Sequence, residues 1–480
     1  MLLKKISGNF ISLVIGQVLS GILAFCGGIY LARVLGPILF GKVSFAESIL
    51  MFFLIFADFG LNTVGIRSIA KEKKKVSEYV SRIVSFKLLL SLISVIALLV
   101  FVFFLNKPAD TKYVIVLFCL SLFPLAFFFD WVYQGLEEMQ YRSIALVIRE
   151  GLYLLGLVFL VRNVSGFMLV GILFLASRLA ASIFLFCLYL KQFGIFKFTW
   201  DFKKEVGLLK SAAPLGLGLF CAWVFLYFDM FSISLFTGER GLGLYNAAYR
   251  PVLYGMLVCE CFYMSIFPPM SLAAKTNKNL LKDLVTYSSQ GMFLVWLPVA
   301  VFLSFSSSET ISLIYGGKFS GAGLVFSILP WSLVILSINT SYAKCLIASG
   351  QEYKFSFIVL IRTVVMVVLT LVFIPLMGIV GAALAKVISE AIIFPLYRFM
   401  VKNLGLYISF KPLLRIIKYC TAFTLSFVVL KQINCFFSLF VSSLIYLLLI
   451  YVFEKKNLRL FMNTFTKNNE ICEEGLWELG

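Results

Sequence analysis

Eight cations, Arg33, Lys42, Arg149, Arg178, Arg250, Lys344, Arg362 and Lys386, fall inside or at the ends of long apolar runs. So do the acids Glu47, Asp58, Asp130, Glu150, Asp229, Glu260 and Glu390. A charged side chain near a bilayer centre costs roughly 2.5–3.5 kcal/mol even on lenient scales, so it survives where it faces a bundle interior or a wet cavity. Fixed cations in such a place attract an anion, and a buried carboxylate can take up and release a proton. By the apolar runs, Arg178 and Lys386 lie deepest. Arg33 and Lys42 belong near the outer mouth, and Lys344 and Arg362 nearer the cytoplasm. Lys386 and Glu390 stand at i,i+4 and are expected to pair within one helix. Arg149 and Glu150 are neighbours, expected to point to different faces and to find partners elsewhere. Asp229 and Glu260 have no cation within one turn of their own helix; with Asp58 and Glu390 they are the candidates for ion or proton coupling. The chain contains no His, so a proton relay would use carboxylates, Tyr or water. The 10 Cys show neither metal spacing nor a disulfide framework, and the side chains of Cys259 and Cys261 diverge on a helix. No cofactor and no metal is expected.

The elements that must position these groups are membrane helices. Of 480 residues, 61% are apolar and 14% charged, with a mean hydropathy of +1.00, against about 45–50% and about 25% in soluble domains. The runs are continuous rather than alternating, which excludes a barrel. About fourteen spans are predicted near 11–32, 41–66, 84–106, 113–135, 143–162, 166–190, 212–237, 244–271, 287–307, 322–348, 354–376, 379–400, 412–430 and 435–453. The net charge of +19 would suggest nucleic acid in a soluble protein. Here the basic residues cluster in every second connection, 67–87, 191–210, 272–286 and 398–418. That pattern places those loops and both termini in the cytoplasm, with anionic lipid as the partner and no nucleic acid. The N-terminal segment reads as a retained first helix. External connections are short, and the longest, 308–321, predicts a brief surface helix. Pro214, Pro268-Pro269 and Pro298 offer hinges. Trp131, Tyr133, Trp223, Tyr227 and Tyr245 are available either to stack on sugar rings or to pack and form interfacial belts.

An internal repeat shows at an offset of 202 residues: LGPILFGKVSFA (35–46) lies on TGERGLGLYNAA (237–248), with Gly36 on Gly238, Gly41 on Gly243 and Asp58 on Glu260. The expected organisation is a six-helix lobe over 1–200, a second over 201–400, two appended helices over 401–453 and a tail from 454 to 480.

The stretches Leu31-Ala32-Arg33-Val34-Leu35-Gly36-Pro37, Phe40-Gly41, Ser44-Phe45-Ala46 and Ala57-Asp58-Phe59-Gly60-Leu61-Asn62 resemble the polysaccharide flippase family. This is the group of O-antigen and capsule repeat-unit transporters within the multidrug/oligosaccharidyl-lipid/polysaccharide exporter superfamily. Gly65-Ile66-Arg67, Leu313-Ile314-Tyr315-Gly316, Ala348-Ser349-Gly350 and Gly378-Ile379-Val380-Gly381 are similar to it as well. The resemblance implies an all-α polytopic protein of two lobes around a central cavity. It would move an undecaprenyl-diphosphate-linked oligosaccharide across the inner membrane by alternating access, with H+ or Na+ as a coupling ion and polysaccharide polymerase machinery as a partner. Arg matches phosphate through its bidentate fork, which gives the embedded cations a role in holding the diphosphate. The alternatives are a small-molecule antiporter or a peptidoglycan-precursor flippase of the same fold. The antiporter would favour an acid-dominated cavity. An enzyme acting on lipid-linked sugars would need a positioned base and a large external loop, so the expectation is transport and not catalysis.

Overall fold

The computed structural model describes the backbone of residues 2–196, 202–406, 411–431, 438–439 and 441–451, and the side chains of 12–196, 216–406, 414–430, 438–439 and 441–451. The side chains of Lys4, Lys5 and Pro214, part of the 191–210 connection, and the tail lie outside the described residues. Among the described residues, seventeen helices follow one another up to Lys431, and a further short one covers Val441–Tyr451. The seventeen are α1 (Leu2–Asp58), α2 (Leu61–Lys71), α3 (Val76–Phe104), α4 (Ala109–Leu120), α5 (Leu122–Ala126), α6 (Asp130–Gly135), α7 (Met139–Leu160), α8 (Phe167–Phe193) and α9 (Phe202–Phe236). Then come α10 (Gly238–Thr276), α11 (Lys278–Phe305), α12 (Ser307–Tyr315), α13 (Gly323–Ile328), α14 (Pro330–Ala348), α15 (Glu352–Met377), α16 (Ile379–Lys402) and α17 (Lys411–Lys431). Among the described residues there is no strand. Among the described residues, eleven segments are long and apolar enough to cross a membrane. The first of them holds two helices joined at a kink, where Gly36 takes φ 72° ahead of Pro37.

Three local departures from the apolar-run reading have identifiable causes. The run 113–135 is broken into α4, α5 and α6. Pro124 has no N–H to give and its ring would crowd the carbonyl four residues back, at Leu120, where α4 ends. The helix expected to reach residue 66 stops at Asp58, because Phe59 and Gly60 adopt φ 41° and 84° and α2 starts afresh at Leu61. Finally, α3 begins at Val76, which moves Lys87 from an expected loop to a buried position three turns into a helix.

Two compact units divide the chain at Ala247 and Ala248, inside α10. The core of the first gathers Val80, Val84, Phe129, Trp131, Tyr133, Leu185 and Tyr189. That of the second gathers Ile266, Leu284, Tyr342, Leu346, Ile393, Tyr397 and Phe423, with Tyr446 donating to the Leu294 carbonyl at 2.8 Å. Long apolar faces outside these cores, such as Phe103 and Phe104 (78% and 77% exposed), have the composition that acyl chains cover.

Within the first unit the repeat becomes a spatial relation. Gly36 and Gly238 share a left-handed backbone, φ 72° and 77°. Gly41 lies against the carbonyl of Glu239 and Gly243 against that of Pro37, each too close to admit a Cβ. Asn246 donates its Nδ2 to Ser44 Oγ at 2.5 Å across a separation of 202 residues. Since Pro37 and Glu239 are themselves repeat mates, the contact is reciprocal, as in an isologous dimer interface. Gly41→Ala and Gly243→Ala should each destabilise by about 1–3 kcal/mol through overpacking. Because both act on one contact, thermal unfolding of the double variant in detergent should show less than the summed loss. Full additivity would mean two independent contacts.

Candidate functional site

In the first unit, α8 carries Arg178 and α7 supplies part of its surroundings. Arg178 sits midway along the apolar segment Val164–Phe193. Helical side chains lean toward the N-terminus, so a residue four positions on covers the one before it. The Arg178 guanidinium accordingly lies 3.2 Å from the ring centroid of Phe174 and 5.6 Å from that of Tyr153, and donates to Ser177 Oγ at 3.2 Å. Among the described residues no carboxylate is in ion-pair contact with it. Aromatic faces stabilise such a cation by up to about 2 kcal/mol when it is desolvated, and they leave the in-plane N–H groups for a planar or tetrahedral anion. Arg149, one turn before Tyr153 on α7, donates its Nε to Glu150 at 2.7 Å and lies 5.9 Å from the Phe128 ring. The expectation that these two neighbours would part is therefore corrected: both side chains are long enough to fold back toward each other.

One ion pair ties the start of the second helix in α1 to α4, and another joins the α3–α4 connection to α10. Lys42 meets Asp110 of α4 at 2.5 Å, and Lys107 meets Glu239 of α10 at 2.8 Å while donating to the Ser234 carbonyl. Arg33 is exposed on α1. At the other end of that helix Asp58 is held by Lys87 of α3 at 2.8 Å, and Lys87 also donates to Asn62 at 2.6 Å. Asp130 accepts from Arg142 of α7 at 3.3 Å. Asp229, fully buried on α9, accepts from Tyr245 Oη at 2.5 Å and from the backbone N–H of Met230 at 2.8 Å.

In the second unit Lys386 is fully buried, its ammonium 4.1 Å from the Tyr249 ring centroid. The predicted Lys386–Glu390 pair does not form. Glu390 turns to α15 and α14, accepting from Arg362 at 3.2 Å and from Asn339 Nδ2 at 2.8 Å. A neighbouring helix supplies a planar guanidinium and an amide at once, which satisfies more of the carboxylate's lone pairs than one in-helix ammonium would. Glu260 of α10 meets Lys344 of α14 at 2.6 Å. Arg250 is half-buried near the Tyr315 phenol, on which it acts electrostatically.

The structure thus brings Arg149 and Arg178 into one aromatic-lined locus and pairs Arg362 with Glu390 and Lys344 with Glu260. It holds Lys42 and Asp58 in separate pairs at opposite ends of one helix. Lys87, Lys107, Asp110 and Glu239 were not singled out in the sequence. Lys87 was assigned to a basic loop and the other three to short external connections, and only their opposite signs hinted at pairing. Of the aromatic residues, Trp131 and Tyr133 are fully buried, while Trp223 and Tyr227 stack at 5.5 Å and stay half-buried.

A bundle of membrane-length helices with many of its charges paired between helices defines a multi-span membrane protein of the exporter type of fold. The solved lipid II flippase MurJ, in an inward closed conformation, superposes with a TM-score of 0.79 at 17% identity, covering 93% of this chain and all of that one. The family profile described as polysaccharide biosynthesis protein matches residues 6–274, and the chain belongs to that family. A protein of Escherichia coli K12, named as a candidate O-antigen transporter, is 22% identical over 78% of this chain and 91% of its own length. A Haloferax volcanii protein, named as a candidate flippase of low-salt glycan biosynthesis, is 24% identical over 80% of each chain.

Removing one member of a well-buried pair leaves the other charge uncompensated, at a cost of about 3–5 kcal/mol. Lys87→Met should therefore cut membrane abundance and lower the unfolding temperature sharply, and adding Asp58→Asn should recover much of the loss. A double variant as unstable as Lys87→Met would show that the pair carries no coupling.

Proposed function

We propose that the protein is a flippase for a polyprenyl-diphosphate-linked oligosaccharide, working by alternating access between lobes built on residues 1–200 and 201–400. The observation that carries this reading is Arg178: a guanidinium midway along an apolar membrane-length segment, backed by Phe174 and Tyr153, with no carboxylate in ion-pair contact among the described residues. A diphosphate crossing hydrocarbon needs such a fixed charge, and a guanidinium offers it two parallel N–H donors. The names of the relatives, O-antigen transporter, glycan flippase and capsular polysaccharide biosynthesis protein, support the same cargo class. Transport makes and breaks no bond, so no catalytic residue is assigned. Arg149, Lys386, Arg250, Arg362, Lys344, Lys42 and Arg33 supply further positive potential along the route, while the acids that pair with several of them keep the bundle near neutrality between cargoes.

In this reading the protein resides in the bacterial inner membrane with both termini in the cytoplasm, as the basic connections support. It hands its cargo to polymerase machinery outside. Asp229 and Glu260, with Asp58 and Glu390 behind them, are the acids through which a proton or sodium gradient would act, Asp229 through its phenol partner Tyr245.

Arg178→Ala should lower surface display of the polymer at least tenfold with unchanged membrane abundance. Arg178→Lys should recover only part, because an ammonium is a point charge without the fork. Lys386→Ala should impair export in the same assay. Full display with both alanine variants combined would remove the cationic route. Asp229→Asn and Glu260→Gln should each weaken the dependence of export on the ion gradient, and an unchanged dependence would dismiss both as carriers.

A further inference from the structure

The helix α2 lies between two membrane-length segments, one ending at Asp58 and the next beginning at Lys73. The left-handed pair Phe59 and Gly60 turns it out of line with α1. Its residues Leu61, Gly65 and Ile69, one helical face, are buried. Gly65 packs against Trp131 and Ile83, and Ile69 against Gly135 of α6. Arg67 and Lys71 fall on the opposite face, about 200° around the helix from Gly65 and Ile69, and Lys74 follows in the turn after it. All three are exposed.

Neighbouring cations of this surface are already neutralised. Lys73 meets Glu137 at 3.0 Å, Lys75 meets Glu72 at 2.6 Å, and Arg82 meets Glu78. Glu72, Glu78 and Glu137 are thus taken. Arg67, Lys71 and Lys74 have no ion-pair partner among the described residues. The fold has anchored an apolar face to the bundle and left a short arc of uncompensated positive charge at the edge of the hydrocarbon, pointing away from the core.

We infer that this face of α2 is a binding site for the anionic head groups of glycerophospholipids. Position in the chain favours lipid over cargo as the source of the phosphate. These side chains stand in the connection between two membrane-length segments, at the span ends where head groups lie. Bound head groups would hold α2 at the membrane surface while the helices on either side of it move.

The test uses the full-length protein in neutral detergent, with binding of phosphatidylglycerol and phosphatidylcholine followed by native mass spectrometry. The triple variant Arg67→Gln, Lys71→Gln, Lys74→Gln should bind phosphatidylglycerol on the order of 100-fold more weakly, about fivefold for each cation, with phosphatidylcholine unaffected. The variant Arg67→Lys, Lys71→Arg, Lys74→Arg should retain binding, which shows that the folded surface and its charge suffice. Undiminished phosphatidylglycerol binding by the glutamine variant would overturn the inference and leave a solvated face. An equal loss from Lys275→Gln, Lys278→Gln, Lys282→Gln in another basic connection would also overturn it, by tracing binding to bulk charge. Displacement of the lipid by millimolar inorganic pyrophosphate would overturn it a third way, by assigning the face to a diphosphate cargo. Because none of these measurements involves transport, their outcome is independent of the flippase reading.

Discussion

An ion in hydrocarbon must be solvated by the protein itself, and that requirement organises most of what this chain does between helices. Lys87 with Asp58, Lys42 with Asp110, Arg362 with Glu390 and Lys344 with Glu260 each join two different helices. Each such bond has a steep penalty for separation and little net gain over an apolar contact. Pairs of this kind therefore specify which helices meet and in what register, and contribute less to how tightly they hold. The apolar surfaces, nearly alike from helix to helix, carry no such information. Arg178 departs from the scheme: π-faces and a hydroxyl surround it, with no carboxylate in ion-pair contact among the described residues.

Much of the fold was legible in the sequence because membrane helices are written in length and hydropathy, and both survive without knowledge of tertiary contacts. The break at Gly36 and Pro37 could be read in the same way. What failed to show was pairing, because helix periodicity is blind to neighbours. Lys386 and Glu390 had the right spacing, yet Arg362 came from another helix with better hydrogen-bonding geometry. Lys87 looked like part of a basic loop because the boundary of α3 was set by composition, eight residues later than its true start. A proline four positions beyond Leu120 was the overlooked signal for the break after α4.

The two kinds of glycine in the chain do different work, and only one is visible as a motif. At Gly36 and Gly238 the backbone needs a left-handed turn, which a reader of sequence can suspect from the neighbouring proline or from a short connection. At Gly41 and Gly243 the backbone is ordinary helix, and glycine is required because another backbone arrives. The repeat offset was the clue that linked them, since two mates that each demand an absent side chain are most economically explained by their touching each other.

That mutual contact has a bearing on how the chain can change over generations. A duplicated sequence is normally free to drift, each copy relieved of duty by the other. Where two copies meet about a shared axis, a novelty in one is at once part of the other's surroundings, so neither can be revised alone. The stretch around Gly41 and Gly243 should therefore be the place where the two segments keep their likeness longest.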